Sequence, residues 1–138
     1  MKVSTKGRYG VRAMLELAKL DSNTPMSARS ISEKQGIPIP YLEKILFILN
    51  KAGLVRSIKG PGGGYLLAKS PKEISIGDIV RVLEGPIALA DCLKPSKKCD
   101  RIENCVAMIL WKRLSNGIEQ TLNEVSLHDL LVEERNLK

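Results

Sequence analysis

The sequence has no long apolar run. Its longest unbroken stretches, residues 45–49 and 106–111, fall far short of the ~20 residues that a membrane-spanning helix needs. The opening MKVSTKGRYG lacks the apolar stretch of a secretory signal, so a soluble, cytoplasmic chain without membrane partners is expected. Cysteine is missing from the first 91 residues, and the total of three is odd, which argues against a secreted disulfide framework. There is one histidine. No G-x-x-x-x-G-K-[ST] loop is present, and Tyr-Leu-Leu, not a helix, follows the glycines at 62–64. Nucleotide- and dinucleotide-binding fingerprints are thereby excluded. No nucleophile–base pairing and no small-molecule substrate fingerprint stands out, so an enzyme is not expected. Internal repeats and low-complexity tracts are also absent.

What remains is a chain of 138 residues, 43% hydrophobic and 27% charged. That is the composition of one globular domain, or of a small domain with an appendage. Acidic side chains are scarce at the front. Residues 1–75 hold 13 basic and 5 acidic groups, a net of +8, whereas residues 76–138 hold 9 and 10, a net of −1. A cationic half joined to a neutral half points to polyanion binding coupled to a second task. On charge alone, a solvated basic surface is the plain alternative.

Helical spacing of Val11, Met14, Leu15 and Ala18 predicts a helix over 5–20, with Arg12, Glu16 and Lys19 off the stripe. Turn formers at 21–25 end it. Ser27 caps a second helix facing the core through Ala28, Ile31 and Ser32, closed by Gly36. Pro38 and Pro40 open a third through Leu42, Ile45, Leu46 and Leu49, with Phe47 and Ile48 widening the stripe. Two short helices around a glycine turn read as a helix-turn-helix. Two β-prone runs, 54–58 and 65–68, flank the tip Lys59-Gly60-Pro61-Gly62-Gly63-Gly64 and make a hairpin. A hairpin in this place is the wing of a winged helix.

Ser75 starts a fourth helix closed by Gly85-Pro86. Residues 87–104 look irregular and carry Cys92 and Cys99. From Cys105 a long helix repeats Trp111, Leu114, Ile118, Leu122 and Val125 at near-heptad spacing. Such a seam is expected to pack against the same helix of a second subunit, giving a homodimer. The alternative is a helix folded back on its own domain. Ser126 caps a terminal helix through Leu127, Leu130 and Leu131. The expected architecture is mainly α with a small β-hairpin wing. Residues 1–86 form a winged helix-turn-helix DNA-binding domain, 87–104 a cysteine-bearing loop, and 105–138 the dimerisation and terminal helices.

The third helix would enter the major groove with Ile39, Pro40, Tyr41, Glu43 and Lys44 near base edges. Glu43 suits a cytosine amino group and Lys44 guanine O6 or N7. Lys6, Arg8, Arg29, Lys51, Arg56 and Lys59 are candidates for phosphate contacts, assisted by the hydroxyls of Thr5, Ser27 and Tyr41. The cysteines are separated by six and then five residues, which disfavours the tight pairs of structural zinc sites. Widely spaced thiolates suit a larger iron–sulfur group, and Lys94, Lys97, Lys98 and Arg101 would favour them. From spacing alone, free thiols remain the competing reading, and a redox carrier is the rival from another class.

STKGRYGVRAM (4–14), ISEKQGIPIPYLEKIL (31–46), GLVRSIKGPGGGYLLAK (53–69) and GDIVRVLEGPI (77–87) closely resemble the IscR-type iron–sulfur cluster regulators. The resemblance extends to the three cysteines and to Leu110-Trp111. It implies a dimeric winged-helix transcription regulator, acting as a repressor of cluster-biogenesis genes. Cys92, Cys99 and Cys105 would be the ligands of a 2Fe–2S cluster. Tyr41, Glu43, Lys44, Lys59 and Gly60 fall on the family's DNA-reading positions. Two features depart from the pattern. The family's fourth ligand is commonly a histidine where Met108 stands, and the first cysteine spacing is one residue longer. The alternative within this resemblance is a cluster-free, thiol- or partner-responsive regulator of sulfur or cysteine metabolism.

Overall fold

Local capping chemistry starts four of the helices. In the computed structural model, which describes residues 3–20, 23–89, 93 and 105–137, Ser4 accepts a hydrogen bond from the Gly7 N–H at 3.1 Å and opens α1, Thr5–Ala18. Ser27 caps α2, Ala28–Gln35, by accepting from the Ser30 N–H. Gly36 closes α2 in the left-handed region at φ 67°, a conformation that costs a residue with a Cβ but not glycine. Ser75 and Asp78 form a reciprocal capping box at the start of α4, Ile76–Glu84. Ser126 and Asp129 do the same for α6, Leu127–Asn136. Proline at the first turn opens α3, Ile39–Lys51, and Cys105 is the N-cap of α5, Val106–Glu124.

Strands β1, Val55–Ile58, and β2, Gly64–Leu67, pair antiparallel in the register Val55↔Leu67 to Ile58↔Gly64. A 3₁₀ turn, Pro71–Glu73, leads into α4. The architecture is thus mainly helical with one two-stranded wing, as the spacing of apolar residues implied. Among the described residues no helix is long and apolar enough to cross a membrane.

The core is built from Ala13, Met14 and Leu17 of α1, Ile31 of α2, Leu42, Ile45, Leu46 and Leu49 of α3, Val55 of β1, Ile79 and Leu83 of α4, and Leu127 and Leu131 of α6. The chain's last helix therefore shares one core with its first. Backbone hydrogen bonds hold the two ends together: Ile76 N–H donates to Val125 O at 2.8 Å and Leu127 N–H to Ile74 O at 3.0 Å.

Three expectations change. In α1 the buried arc runs through Ala13, Met14, Leu17 and Ala18, while Val11 and Leu15 are only half-buried. Apolar side chains make up half of α1, so the elements packed on it select the arc. Phe47, expected to widen the core stripe of α3, is 63% exposed. The α5 seam splits. Trp111 and Leu114 are exposed, whereas Ile118, Leu122 and Val125 are half-buried. The C-terminal half of α5 lies on α4, where Arg81 donates to Asn123 Oδ1 at 2.9 Å and to Glu119 Oε1 at 3.3 Å. Folding back and exposing a seam are thus both realised, on different halves of one helix.

Candidate nucleic-acid interface and cysteine site

Burial of Leu42, Ile45, Leu46 and Leu49 turns the other face of α3 outward, because side chains three and four apart share a helix face. Pro40, Glu43, Lys44, Phe47 and Lys51 follow that spacing, and all five are exposed. Tyr41 differs. It is half-buried, and its ring meets Tyr9 edge-on with centroids 5.6 Å apart and planes at 88°. Its aromatic body therefore seats α3 on α1.

The wing is fastened to the helix-turn-helix. Met26 N–H donates to Tyr65 O at 3.0 Å, and Tyr65 N–H donates to Met26 O at 2.8 Å. The residue before the α2 cap thus acts as a third strand position. Arg56 lies exposed on β1, and Lys59 and Gly60 are exposed at the tip. Ser27 is committed to its cap and also donates to Ser30 Oγ at 3.1 Å. Thr5 and Arg8 meet at the start of α1, Arg8 donating to Thr5 Oγ1 at 3.1 Å. The structure thus presents these residues as three groups: the exposed α3 face, the wing fastened beside Ser27, and the Thr5–Arg8 pair.

A polar track that the sequence did not reveal fixes the helices. Glu16, placed off the α1 stripe by its spacing, is only 5% exposed. Lys19 bonds it at 3.0 Å and Gln35 of α2 donates to it at 2.5 Å. Lys19 also pairs with Glu134 of α6 at 3.1 Å. Gln35 Oε1 accepts from Arg12 at 2.9 Å, and the Arg12 guanidinium lies over the Tyr9 ring, 5.4 Å from its centroid. Tyr9 in turn supports Tyr41, so the track runs from α6 through α1 and α2 to α3. The one legible trace was the i, i+3 spacing of Glu16 and Lys19.

Burial pushes the Glu16 carboxyl up, but hydrogen bonds from Lys19 and Gln35 and the charges of Lys19 and Lys34 outweigh it and hold the group below its ordinary value of 4.5. Its ionised form therefore stabilises the fold above pH 4.5, and that contribution is lost as pH falls through the lower folded value. Glu16→Gln is expected to cost about 1–2 kcal/mol at pH 7. Urea midpoints of wild type and variant should converge on acidification below pH 4.5. A constant gap across that range would contradict the assignment.

Of the three cysteines, Cys105 lies among the described residues. Cys105 is a free, half-buried thiol at the N-cap of α5, and its side chain makes no cap hydrogen bond. Its carbonyl accepts from Met108 N–H at 3.2 Å, so Met108 stands one turn into α5, half-buried. Cys92 and Cys99 lie outside the described residues. Among the described residues no group of three or more His, Cys, Asp or Glu is arranged to hold a metal ion. His128 belongs to α6. The segment leading toward the cysteines is tied to α5 by Leu89 N–H, which donates to the buried Ser115 Oγ at 3.1 Å.

A family profile described as Rrf2, iron-dependent transcriptional regulator, matches residues 3–133. The chain belongs to the Rrf2 family. Among Rrf2 relatives, the HTH-type transcriptional regulator CymR of Bacillus subtilis is 42% identical over 130 residues, covering 94% of this chain and 89% of the relative. The HTH-type transcriptional regulator IscR of Pectobacterium carotovorum is 39% identical over 131 residues, covering 95% and 79%. The solved structure of T. potens IscR superposes with a TM-score of 0.81 at 40% identity, over 100% of this chain and 91% of that one. CymR, the global cysteine regulator of B. subtilis, superposes at 0.77 with 40% identity, over 94% and 95%. Both kinds of Rrf2 regulator therefore share this fold at comparable identity, and the chain is a transcriptional regulator of this family.

Proposed function

We propose that the chain is a homodimeric, sequence-specific DNA-binding regulator, acting as a repressor, whose affinity for its operator responds to a 2Fe–2S cluster held by Cys92, Cys99 and Cys105. The observation that carries this reading is the position of Cys105. Its free thiol heads α5, the helix whose first turns expose Val106, Ile109, Leu110, Trp111 and Leu114. A thiol engaged there acts at the root of the proposed dimer helix.

The Cys105 thiol suits an iron–sulfur group, being half-buried, free among the described residues and not consumed by capping. When bound, the group supplies an iron–thiolate centre sensitive to redox state and iron supply. The chain's own residues do the rest. Residues 1–86 grip the duplex, with Pro40, Glu43 and Lys44 on base edges and Thr5, Arg8, Ser27, Arg56, Lys59 and Gly60 along the backbone. Tyr41 seats the recognition helix. Residues 87–104 carry two of the thiols, and the Leu89–Ser115 bond fixes where that segment meets α5. The genes controlled would be those of cluster assembly.

A second reading is a cluster-free regulator of cysteine metabolism answering to thiol state or to a protein partner. Two observations favour it: Met108, a weak thioether donor, occupies the first turn of α5, and CymR is 42% identical to this chain. Anaerobic reconstitution separates the two. Wild type should take up iron and sulfide and absorb in the visible, and the Cys92→Ala/Cys99→Ala/Cys105→Ala variant should do neither. Equal incorporation by both, or none by wild type, refutes the cluster assignment. Binding of either form to DNA should weaken by roughly 0.9 log units per log unit of salt for each phosphate neutralised.

A further inference from the structure

Phe47 is the only phenylalanine in the chain, and the fold leaves it 63% exposed. It occupies the outward face of α3 between Lys44 and Lys51. Pro40, Glu43, Lys44 and Phe47 stand at i, i+3, i+4 and i+7, the spacing at which a helix lying along the major groove presents successive side chains to base edges. The Lys51 ammonium lies 5.9 Å from the ring centroid, a contact of modest strength at an exposed site. Burying an aromatic ring is strongly favourable, so a ring held out of the core on a cationic helix has its burial still to gain.

Resting on the DNA-binding reading above, we infer that Phe47 is a specificity-determining residue that packs on the 5-methyl group of a thymine in each half of the operator. The chemistry is particular. The major groove offers one apolar group, the thymine methyl, and an aromatic side chain has no hydrogen bond to give to any other base edge. Glu43 and Lys44 read donors and acceptors, and Phe47, one turn further along the same face, reads a carbon. Continuity with the Glu43–Lys44 face makes a base edge the occupant. A protein partner or a second copy of the chain on Phe47 is the competing outcome.

The test is selection from a duplex pool with a randomised central region, using the full chain and its Phe47→Ser variant. Phe47 is outside the core, so the variant should retain wild-type circular dichroism and sedimentation. Wild type is expected to enrich a two-fold symmetric motif with thymine at one column of each half-site. Phe47→Ser should keep the motif but lose the preference at that column. Replacing that thymine by deoxyuridine, which removes only the methyl, should weaken wild type about fourfold per half-site, the effect of one buried methylene-sized group, and leave the variant within twofold. An identical motif from both proteins, with deoxyuridine tolerated by wild type, overturns the inference while leaving DNA binding intact. A change in sedimentation on substitution assigns Phe47 to a protein contact and overturns it too. If wild type enriches no motif, the DNA-binding reading itself fails.

Discussion

Trp111→Glu/Leu114→Glu is expected to sediment as a monomer at micromolar concentration and to bind operator duplex at least about 100-fold more weakly than wild type. These side chains are 40% and 45% exposed, and Val106, Ile109 and Leu110 beside them are 80%, 60% and 49% exposed. An apolar surface of this kind on one helix is rare on a monomer and marks an interface. The 19 residues of α5 span roughly 28 Å at 1.5 Å each, long enough to pair with a second copy across a two-fold axis. Below Ile118 the helix lies on α4, so the upper turns alone are free to pair. Neither substituted residue belongs to the core, and circular dichroism should be unchanged. The loss of affinity follows from valency. Two linked reading helices bind two half-sites with a high effective concentration for the second contact, worth about 10²–10⁴ in apparent affinity. A variant that remains dimeric at micromolar concentration contradicts the proposed interface.

Gly64→Ala should destabilise the protein by about 3 kcal/mol or more. Gly64 begins β2 at φ +151°, a conformation open to glycine and strained for residues with a Cβ. A Cβ there would lie 2.3 Å from Met26 O, 2.4 Å from Met26 C and 2.7 Å from Ser27 N. All three are backbone atoms that cannot rotate away. Relief requires separating β2 from residue 26, which removes both hydrogen bonds between Met26 and Tyr65 and disturbs the Ser27 cap. Two readouts check this. The urea midpoint should fall, and the Tyr65 amide should lose protection from hydrogen exchange. A variant within about 1 kcal/mol of wild type would show that the close approach relaxes easily.

The helix-turn-helix and the wing were legible because their signals are local. A serine cap, a glycine that tolerates positive φ and a proline in the first turn each act over three or four residues. The same holds for the capping boxes of α4 and α6. The exposed face of α3 was legible up to Lys44, because Pro40, Glu43 and Lys44 lie off the apolar stripe. Phe47 was not. An apolar residue beside a core stripe is expected to join it, and its exposure depends on how far neighbouring elements extend around α3. Glu16 was misplaced for the opposite reason. A carboxylate is expected outside unless a partner is known, and Gln35 is 19 residues away in sequence.

By itself the sequence determined where helices begin and end, that a cationic front precedes a cysteine-bearing stretch, and that a winged helix is the frame. Each of these follows from short-range backbone preference or from charge, which need no knowledge of distant residues. The tertiary structure alone decided which arc of α1 is buried, that α6 shares a core with α1, that α5 divides into a packed half and an exposed half, and that a polar track passing through Glu16 links four helices. Those outcomes depend on which surfaces meet. Burial is a property of pairs of surfaces, and a helix with apolar residues on most of its circumference carries no mark of the side its neighbours will take.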